Sequence, residues 1–355
     1  MILGEDRFLE EWLLYHRALG VTQFYLYDQA EDTKVLEVLA PYITGGLVTY
    51  HSVVNRESLV LRPRTSPAMP NMLLTQASMS LSTESRAFMF QDLLLRKCFD
   101  DYGSQVNWLG HFDVDEYVVI KPRPFERDAR LQPLADASFS LLGRILEEEP
   151  LDAADGVVVT RLNYVNVGRH ELDPHASLLG QHLFRRVIPT ESNGGDSESI
   201  LAYRWSKSFA HTRFSSSSIA ITDSHRVHPR NATKGTQVYV DFTGVALNVT
   251  DQGGYEGQME PNFARVYLHH YMQRDKIDCF AKADRRIACC PDSWRAKLGR
   301  AWCEDASFNV QEGAWNAPGQ RWILDTLDYD PSGAQSYVAL QIAATIPLLP
   351  SWDSL

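Results

Sequence analysis

The sequence predicts an α/β fold, because its opening segments alternate between helical and strand-like apolar patterns. Phe8, Trp12, Tyr15 and Leu19 recur at i, i+4, i+7 and i+11, one apolar face at helical period. Asp6 can cap that helix and Gly20 can end it. Gln23-Phe-Tyr-Leu-Tyr27 then reads as a strand that stops at Asp28 in a polar turn. Thr33 to Tyr42 carries a second helix pattern with Val35, Val38 and Leu39 inward, and Leu47 to Val54 is again rich in β-formers. Strands separated by helices pair in parallel through crossovers, which fixes the class.

Composition narrows what such a chain does. Its 355 residues suffice for one large domain or two modest ones, and 44% hydrophobic with 22% charged residues is the balance of a globular protein. Lys+Arg 34 against Asp+Glu 45 leaves a net charge of −11. Phosphate backbones and anionic lipid are repelled by that excess, so nucleic acid is not an expected partner, although a local basic pocket for one phosphorylated ligand is compatible with it. No apolar run is long enough to span a membrane, and Met1-Ile2-Leu3 gives way at once to Gly4-Glu5-Asp6 without a signal-peptide pattern. Cys279, Cys289, Cys290 and Cys303 cluster; they are either buried thiols or one or two local disulfides, and without a CxxC pair zinc is the weakest alternative. Sequons at Asn231 and Asn248 permit a secretory location but are no more than composition alone produces.

Further along, residues 56–81 have no steady period and read as a long irregular connection. Ser82 to Tyr102 is the clearest helix, closed by Gly103. Trp108 to Phe112 has a buried-strand pattern, runs straight into Asp113-Val114-Asp115-Glu116, and resumes as Tyr117 to Ile120. Past a Pro/Arg/Asp-rich excursion at 121–137 come a short helix, Ser138 to Glu148, and strands at Gly156–Thr160 and Leu183–Ile188. Thr190 to Ser199 is a polar, Gly-containing loop, and Asp275 to Ile287 is helical. No internal repeat or linker divides the chain.

The chemistry-bearing feature is the acidic interruption at 113–116. On a strand Asp113 and Asp115 share one face and Glu116 points the other way. Two carboxylates on one face repel unless a cation lies between them, and oxygen ligands favour Mg²⁺ or Mn²⁺. Ligands of open α/β sheets bind beyond the carboxyl ends of strands, and a solvated surface loop would not break so apolar a run. His16, on the polar flank of the first helix, reads as a structural hydrogen-bonding histidine.

Trp108-Leu-Gly-His-Phe-Asp113-Val-Asp115-Glu116-Tyr resembles the W-x(4)-D-x-D-E block of glycosyltransferase family 92 and related family 2-like transferases. Glu5-x-x-x-Leu9-x-Glu11-Trp12, Tyr15-His16, Leu19-Gly20-Val21 and Tyr25-Leu-Tyr27-Asp28 resemble the family's opening. Lys207-Ser208 resembles its central K-S element, and His270-Tyr271 with Phe280-x-Lys282 and Arg285 its late HY…F-K-R element. The chain departs from the family at its start, where Gly4 stands in place of Asn and only Met1-Ile2-Leu3 remains of the strand the family places there.

That resemblance implies a GT-A (Rossmann-like) single domain with a mixed central sheet and a truncated first strand. The implied division is a transferase domain over 1–300, with a nucleotide-sugar half at 1–120 and an acceptor half at 121–300, and a C-terminal extension over 301–355. The implied reaction is metal-dependent, inverting transfer of a hexose, galactose from UDP-galactose first, to a glycan acceptor. Residue by residue, Asp113, Asp115 and His270 would hold Mn²⁺ or Mg²⁺, with His269 as the alternative to His270. Glu5, Asp28, Asp113 and Lys207 would lie on the donor side, Lys207 facing the phosphates or the acceptor. Asp196 and Glu198, in the Gly-containing loop, are the candidate catalytic bases. A Golgi-luminal location follows if a membrane anchor precedes this sequence in a eukaryotic cell. The competing readings are a glycan-binding pseudo-glycosyltransferase and a metal-dependent phosphodiesterase, the latter wanting more carboxylates and histidines for two metals.

Overall fold

The computed structural model describes residues 6–28, 33–53, 94–120, 141–159, 161–165, 184–186, 207–213, 219–223, 226–229, 239–249, 255–256, 266–273, 276–289 and 327–329. It is a mixed α/β structure, as the sequence predicts. The first helix, α1 (Asp6–Ala18), turns Phe8, Leu9, Trp12, Leu13, Tyr15 and His16 into the core and ends at Gly20, whose φ of 99° suits a residue without a Cβ. Strand β1 (Phe24–Asp28), helix α2 (Lys34–Thr44) and strand β2 (Val48–Ser52) make the expected crossover unit. β1 and β2 are parallel, with Phe24 opposite Val48 and Asp28 opposite Ser52. Helix α3, at 94–102, is the end of the helix expected from Ser82; the rest of that stretch lies outside the described residues.

Two larger mixed sheets follow. The first contains β3 (Trp108–Gly110), β5 (Gly156–Val159), β8 (Lys207–His211), β11 (Tyr239–Asp241), β12 (Ala246–Val249) and β13 (Tyr255–Glu256), in the order β13-β12-β11-β5-β8-β3. The second contains β4 (Glu116–Ile120), β6 (Arg161–Val165), β7 (Phe184–Arg186), β14 (Val266–Gln273) and β15 (Leu327–Tyr329), in the order β15-β7-β6-β14-β4. A separate hairpin pairs β9 (Ile219–Asp223) with β10 (Arg226–Pro229). Each large sheet has one parallel pair, β11 with β5 and β14 with β6, among otherwise antiparallel neighbours. Helix α4 (Leu141–Leu146) falls within the stretch expected over Ser138–Glu148, and helix α5 (Lys276–Cys289) matches the one expected over Asp275–Ile287 but runs past it to Cys289.

The expected run from Trp108 to Ile120 is not one strand. It is β3 at the edge of one sheet and β4 at the edge of the other, joined by a turn in which the N–H of Glu116 donates to the carbonyl of Asp113 over 2.9 Å. Val118, Val119 and Ile120 are fully buried, whereas Asp113 keeps contact with solvent. Carboxylates left in the ladder would be desolvated without partners, so the chain changes sheet where they occur.

Helix α1 closes the open edge of β4. The indole N–H of Trp12 donates to the carbonyl of Glu116 over 2.8 Å and the Tyr15 hydroxyl to the carbonyl of Val118 over 2.9 Å. The N–H of Val118 donates to His16 Nε2 over 3.3 Å, and His16 Nδ1 lies 2.9 Å from the carbonyl of Trp12. His16 is structural, as expected, but it is buried against β4 rather than set on a polar flank. Burial holds its pKa down at about 4, against the backbone bond to Trp12 that favours the charged form. The carbonyl at Nδ1 and the N–H at Nε2 together select the neutral tautomer protonated at Nδ1.

Cys98, on α3, is a buried free thiol whose pKa burial raises to about 12. Cys279 is disulfide-bonded, the sharper of the two sequence readings; its partner lies outside the described residues.

Candidate functional site

The acidic turn between β3 and β4 collects charged side chains from four parts of the chain. Lys207, the first residue of β8, reaches Asp113 Oδ2 at 3.0 Å and Glu116 Oε2 at 3.4 Å. Its side chain is 1% exposed and that of Glu116 0%, so a whole ammonium is buried against two carboxylates. A lysine survives such burial when opposite charge surrounds it. Glu116 Oε2 also accepts from the N–H of Asp113 over 3.0 Å. The opposed orientation expected for Glu116 is therefore replaced. Glu116 opens β4 just after the turn, and its side chain folds back onto the lysine that Asp113 uses.

Asp115 is held differently. Its Oδ2 accepts from Lys282 Nζ, on α5, over 2.7 Å, and His270 Nε2, on β14, stands 3.7 Å from the same oxygen. Asp278, one helical turn earlier on α5, lies 3.7 Å from Lys282 Nζ. The expectation that Asp113 and Asp115 share one strand face is thus corrected. They sit in a turn and face different lysines.

The register of β14 decides which histidine joins them. His270 pairs with Glu116 and His269 with Tyr117 along the β4–β14 ladder. Alternation turns His269 inward, fully buried, with Nδ1 at 3.2 Å from the Tyr271 hydroxyl. His270 is left beside Asp115.

Among the described residues, Asp113, Asp115, Glu116 and Asp278 meet the ammonium groups of Lys207 and Lys282 around this turn. The carboxylate of Asp115 and the imidazole of His270 are groups that could hold a divalent cation. Two ligands of a six-coordinate cation with bonds of about 2.1 Å stand about 3 Å apart, so Asp115 and His270 would have to draw closer than their observed 3.7 Å to share one. Among the described residues no three His, Cys, Asp or Glu side chains gather into a closed metal site. An open site of one or two protein ligands suits a cation that takes its remaining ligands from substrate phosphates and water.

Asp28 ends β1, fully buried, and its Oδ2 accepts from the Tyr50 hydroxyl over 2.9 Å. Burial first, and then this carboxylate, push the Tyr50 phenol up to about 12, so it remains a donor at neutral pH. A cavity of about 600 Å³ opens between β1 and β3, walled by Leu26, Tyr27, Leu109 and His111 with Trp12 and Cys98. It reaches Phe112 and stops short of Asp113. Glu5, Asp196 and Glu198 lie outside the described residues.

Sequence reasoning assigned no role to Lys282 and set Glu116 apart from the pair. The signal for Lys282 was present in the i, i+4 spacing of Asp278 and Lys282, a charge pair on one helical face. Nothing local in the sequence announces that this face meets Asp115.

Residues 5–131 match the family model for glycosyltransferase family 92. The family resemblance read from the motifs therefore holds over that segment, which contains α1, β1, α2, β2 and the acidic turn. Lys207, His270 and Lys282 come from beyond it. No curated protein matches the chain. No helix among the described residues is long and apolar enough to cross a membrane.

Proposed function

We propose that the protein is a metal-dependent, inverting glycosyltransferase of GT-A fold that moves a hexose from a nucleoside diphosphate, UDP-galactose first among candidates, to a glycan acceptor. The family match supports a glycosyltransferase with a sugar donor and a glycan acceptor. The observation that carries the finer reading is the approach of His270 to the carboxylate of Asp115, at 3.7 Å, beside a turn that also presents Asp113.

Asp115 and His270 would hold a divalent cation, Mn²⁺ or Mg²⁺, while Asp113, in the same turn, would take part only by leaving Lys207, which it faces in this structure. The cation, when bound, stabilises the negative charge that develops on the departing diphosphate. Lys207 keeps Asp113 and Glu116 from repelling each other, and Glu116 fixes the turn by accepting from the N–H of Asp113. Glu116, buried under that lysine, is not placed to take the acceptor proton. Asp196 and Glu198 are carried forward for that role, since inversion by direct displacement needs a carboxylate on the face opposite the leaving group. Asp28, at the carboxyl end of a parallel strand, is proposed to lie on the nucleoside side.

A location in the Golgi lumen belongs to the same proposal. The disulfide at Cys279 supports it, because disulfides persist in oxidising compartments. The phosphodiesterase reading would want a cluster of carboxylates and histidines for two metals, and among the described residues no three such side chains gather.

Calorimetric titration with UDP, with and without Mn²⁺, tests the proposal on the wild type and on Asp113→Ala and Asp115→Ala. Binding that needs both the metal and the carboxylates is expected. UDP binding indifferent to Mn²⁺, or absent altogether, would sink it.

A further inference from the structure

We propose that Lys282 is the resident counter-ion of the cation position, seated on Asp115 until a divalent cation displaces it, with Asp278 as its second seat. The inference rests on reading Asp115 and His270 as cation ligands, and it assigns that site a device that sets its affinity.

The geometry makes displacement necessary. Lys282 Nζ approaches Asp115 Oδ2 to 2.7 Å, and His270 Nε2 approaches the same oxygen to 3.7 Å. A cation held between the histidine and that oxygen would meet the ammonium at close range. The side chains of Asp115 and Lys282 are 13% and 15% exposed, so water screens the repulsion poorly. One of the three groups must move. The backbone of His270 is held by the β4–β14 ladder and that of Asp115 by the N–H of Tyr271, which donates to its carbonyl over 2.8 Å, so their short side chains have little reach. Lys282 alone carries its charge on a flexible four-carbon stem. Its helix is held by the buried residues Cys279 and Ala283, so the ammonium moves while its backbone stays.

Where the ammonium goes is also visible. Asp278 Oδ2 already lies 3.7 Å from Lys282 Nζ and its residue is 8% exposed. The displaced charge therefore passes to a carboxylate one turn away on its own helix and is never left unpaired in a poorly hydrated place. A site so built keeps its carboxylates neutralised without metal and charges an incoming cation the loss of one ion pair.

The test is calorimetric titration of Mn²⁺ alone into the full chain, without nucleotide, for wild type, Lys282→Met, Lys282→Gln, Asp278→Asn and Asp115→Asn, with circular dichroism to verify folding. Removing the competitor in either Lys282 variant is expected to tighten Mn²⁺ binding about tenfold. Asp278→Asn removes the second seat and is expected to weaken it severalfold, a change that needs no lysine variant to fold. Asp115→Asn should abolish it. Unchanged or weaker binding in the folded Lys282 variants, unchanged or tighter binding in Asp278→Asn, or no Mn²⁺ binding in any variant overturns the proposal. The two readings fail separately. A chain that shows this exchange but ignores UDP loses the transferase reading and keeps the counter-ion. A chain that binds UDP with Mn²⁺ while the Lys282 variants leave Mn²⁺ affinity unmoved does the reverse.

Discussion

The backbone N–H of Tyr271 donates to the carbonyl of Asp115 over 2.8 Å, which joins the acidic turn to the strand that carries the late histidines. The ladder continues from that bond through His270 opposite Glu116 to Val266 opposite Ile120. A slip of one residue would present His269 to Asp115 and bury His270, because successive strand side chains change face. The pairing of β14 with β4 therefore selects the histidine.

The two neighbouring histidines should separate in their effects. His270→Ala is expected to weaken Mn²⁺-dependent UDP binding by at least about tenfold, with little change in folding stability. His269→Ala is expected to cost about 2 kcal/mol of stability, since it empties a fully buried position, and to leave the metal dependence of binding intact. Urea denaturation and UDP calorimetry on both variants decide the matter. Equal effects on binding would mean that the register does not choose between them.

Lys207 gives a second prediction. Lys207→Met leaves Glu116 buried without the ammonium that faces it and is expected to cost about 3 kcal/mol. Adding Glu116→Gln should recover most of that loss, because removing both members of a buried pair costs far less than removing one. Asp113 is 35% exposed and can turn to water, so Asp113→Asn in place of Glu116→Gln should recover much less. A double-mutant cycle by chemical denaturation reads all three differences. Equal recovery by the two partners would place the buried charge on the wrong carboxylate.

The sequence carried the first crossover unit plainly. Phe8, Trp12, Tyr15 and Leu19 mark α1, and the apolar runs around it are β1 and β2, because local period alone decides these elements. It carried the acidic turn as a composition but not as a shape. Trp108 to Ile120 reads as one strand with a break, and only tertiary pairing sends β3 and β4 to different sheets. The partners of the carboxylates were legible only in part. Lys207, His270 and Lys282 are marked through resemblance, whereas the contact of Lys282 with Asp115 and the return of Glu116 depend on where α5 and the turn pack, which no local pattern encodes. His16 was read as structural, yet its burial follows from α1 closing the edge of β4, a long-range event.

His16 makes stability depend on pH with a defined sign. Its folded-state pKa of about 4 lies below the unfolded value of about 6.5, so the unfolded chain takes up the proton first as pH falls. The contribution of His16 is fully present above pH about 6.5 and is lost as pH drops towards about 4, by as much as about 3 kcal/mol. Other groups titrate over the same range, so the quantity to follow is the stability of the wild type minus that of His16→Gln. This gap should be largest at pH 7 and shrink steadily towards pH 4 in urea melts. A gap that stays constant across that range would show that His16 is not held neutral by burial.

Gly110, the last residue of β3, links packing to the site. A Cβ built there would meet the ring of Phe112 and come within 2.7 Å and 2.8 Å of ring atoms of Phe209, closer than carbon atoms pack. Phe209 is buried in the core and Phe112 packs against it, with ring centroids 5.0 Å apart, so both rings must shift to admit the methyl group. Gly110→Ala is therefore expected to cost about 2 kcal/mol by overpacking. The strain would reach the acidic turn, because Phe112 immediately precedes Asp113 and Phe209 stands two residues after Lys207 on β8. Mn²⁺-dependent UDP binding should weaken together with stability, although Gly110 contributes no side chain to the site. Gly156→Ala is the control, since its Cβ would meet the Tyr239 ring at 2.6 Å and the carbonyl of Phe209 at 3.2 Å, and β5, which carries it, is separated from β3 by β8. A comparable loss of stability with binding preserved is expected there. If Gly156→Ala weakens binding as much as Gly110→Ala does, the loss comes from global destabilisation and β3 does not position the turn.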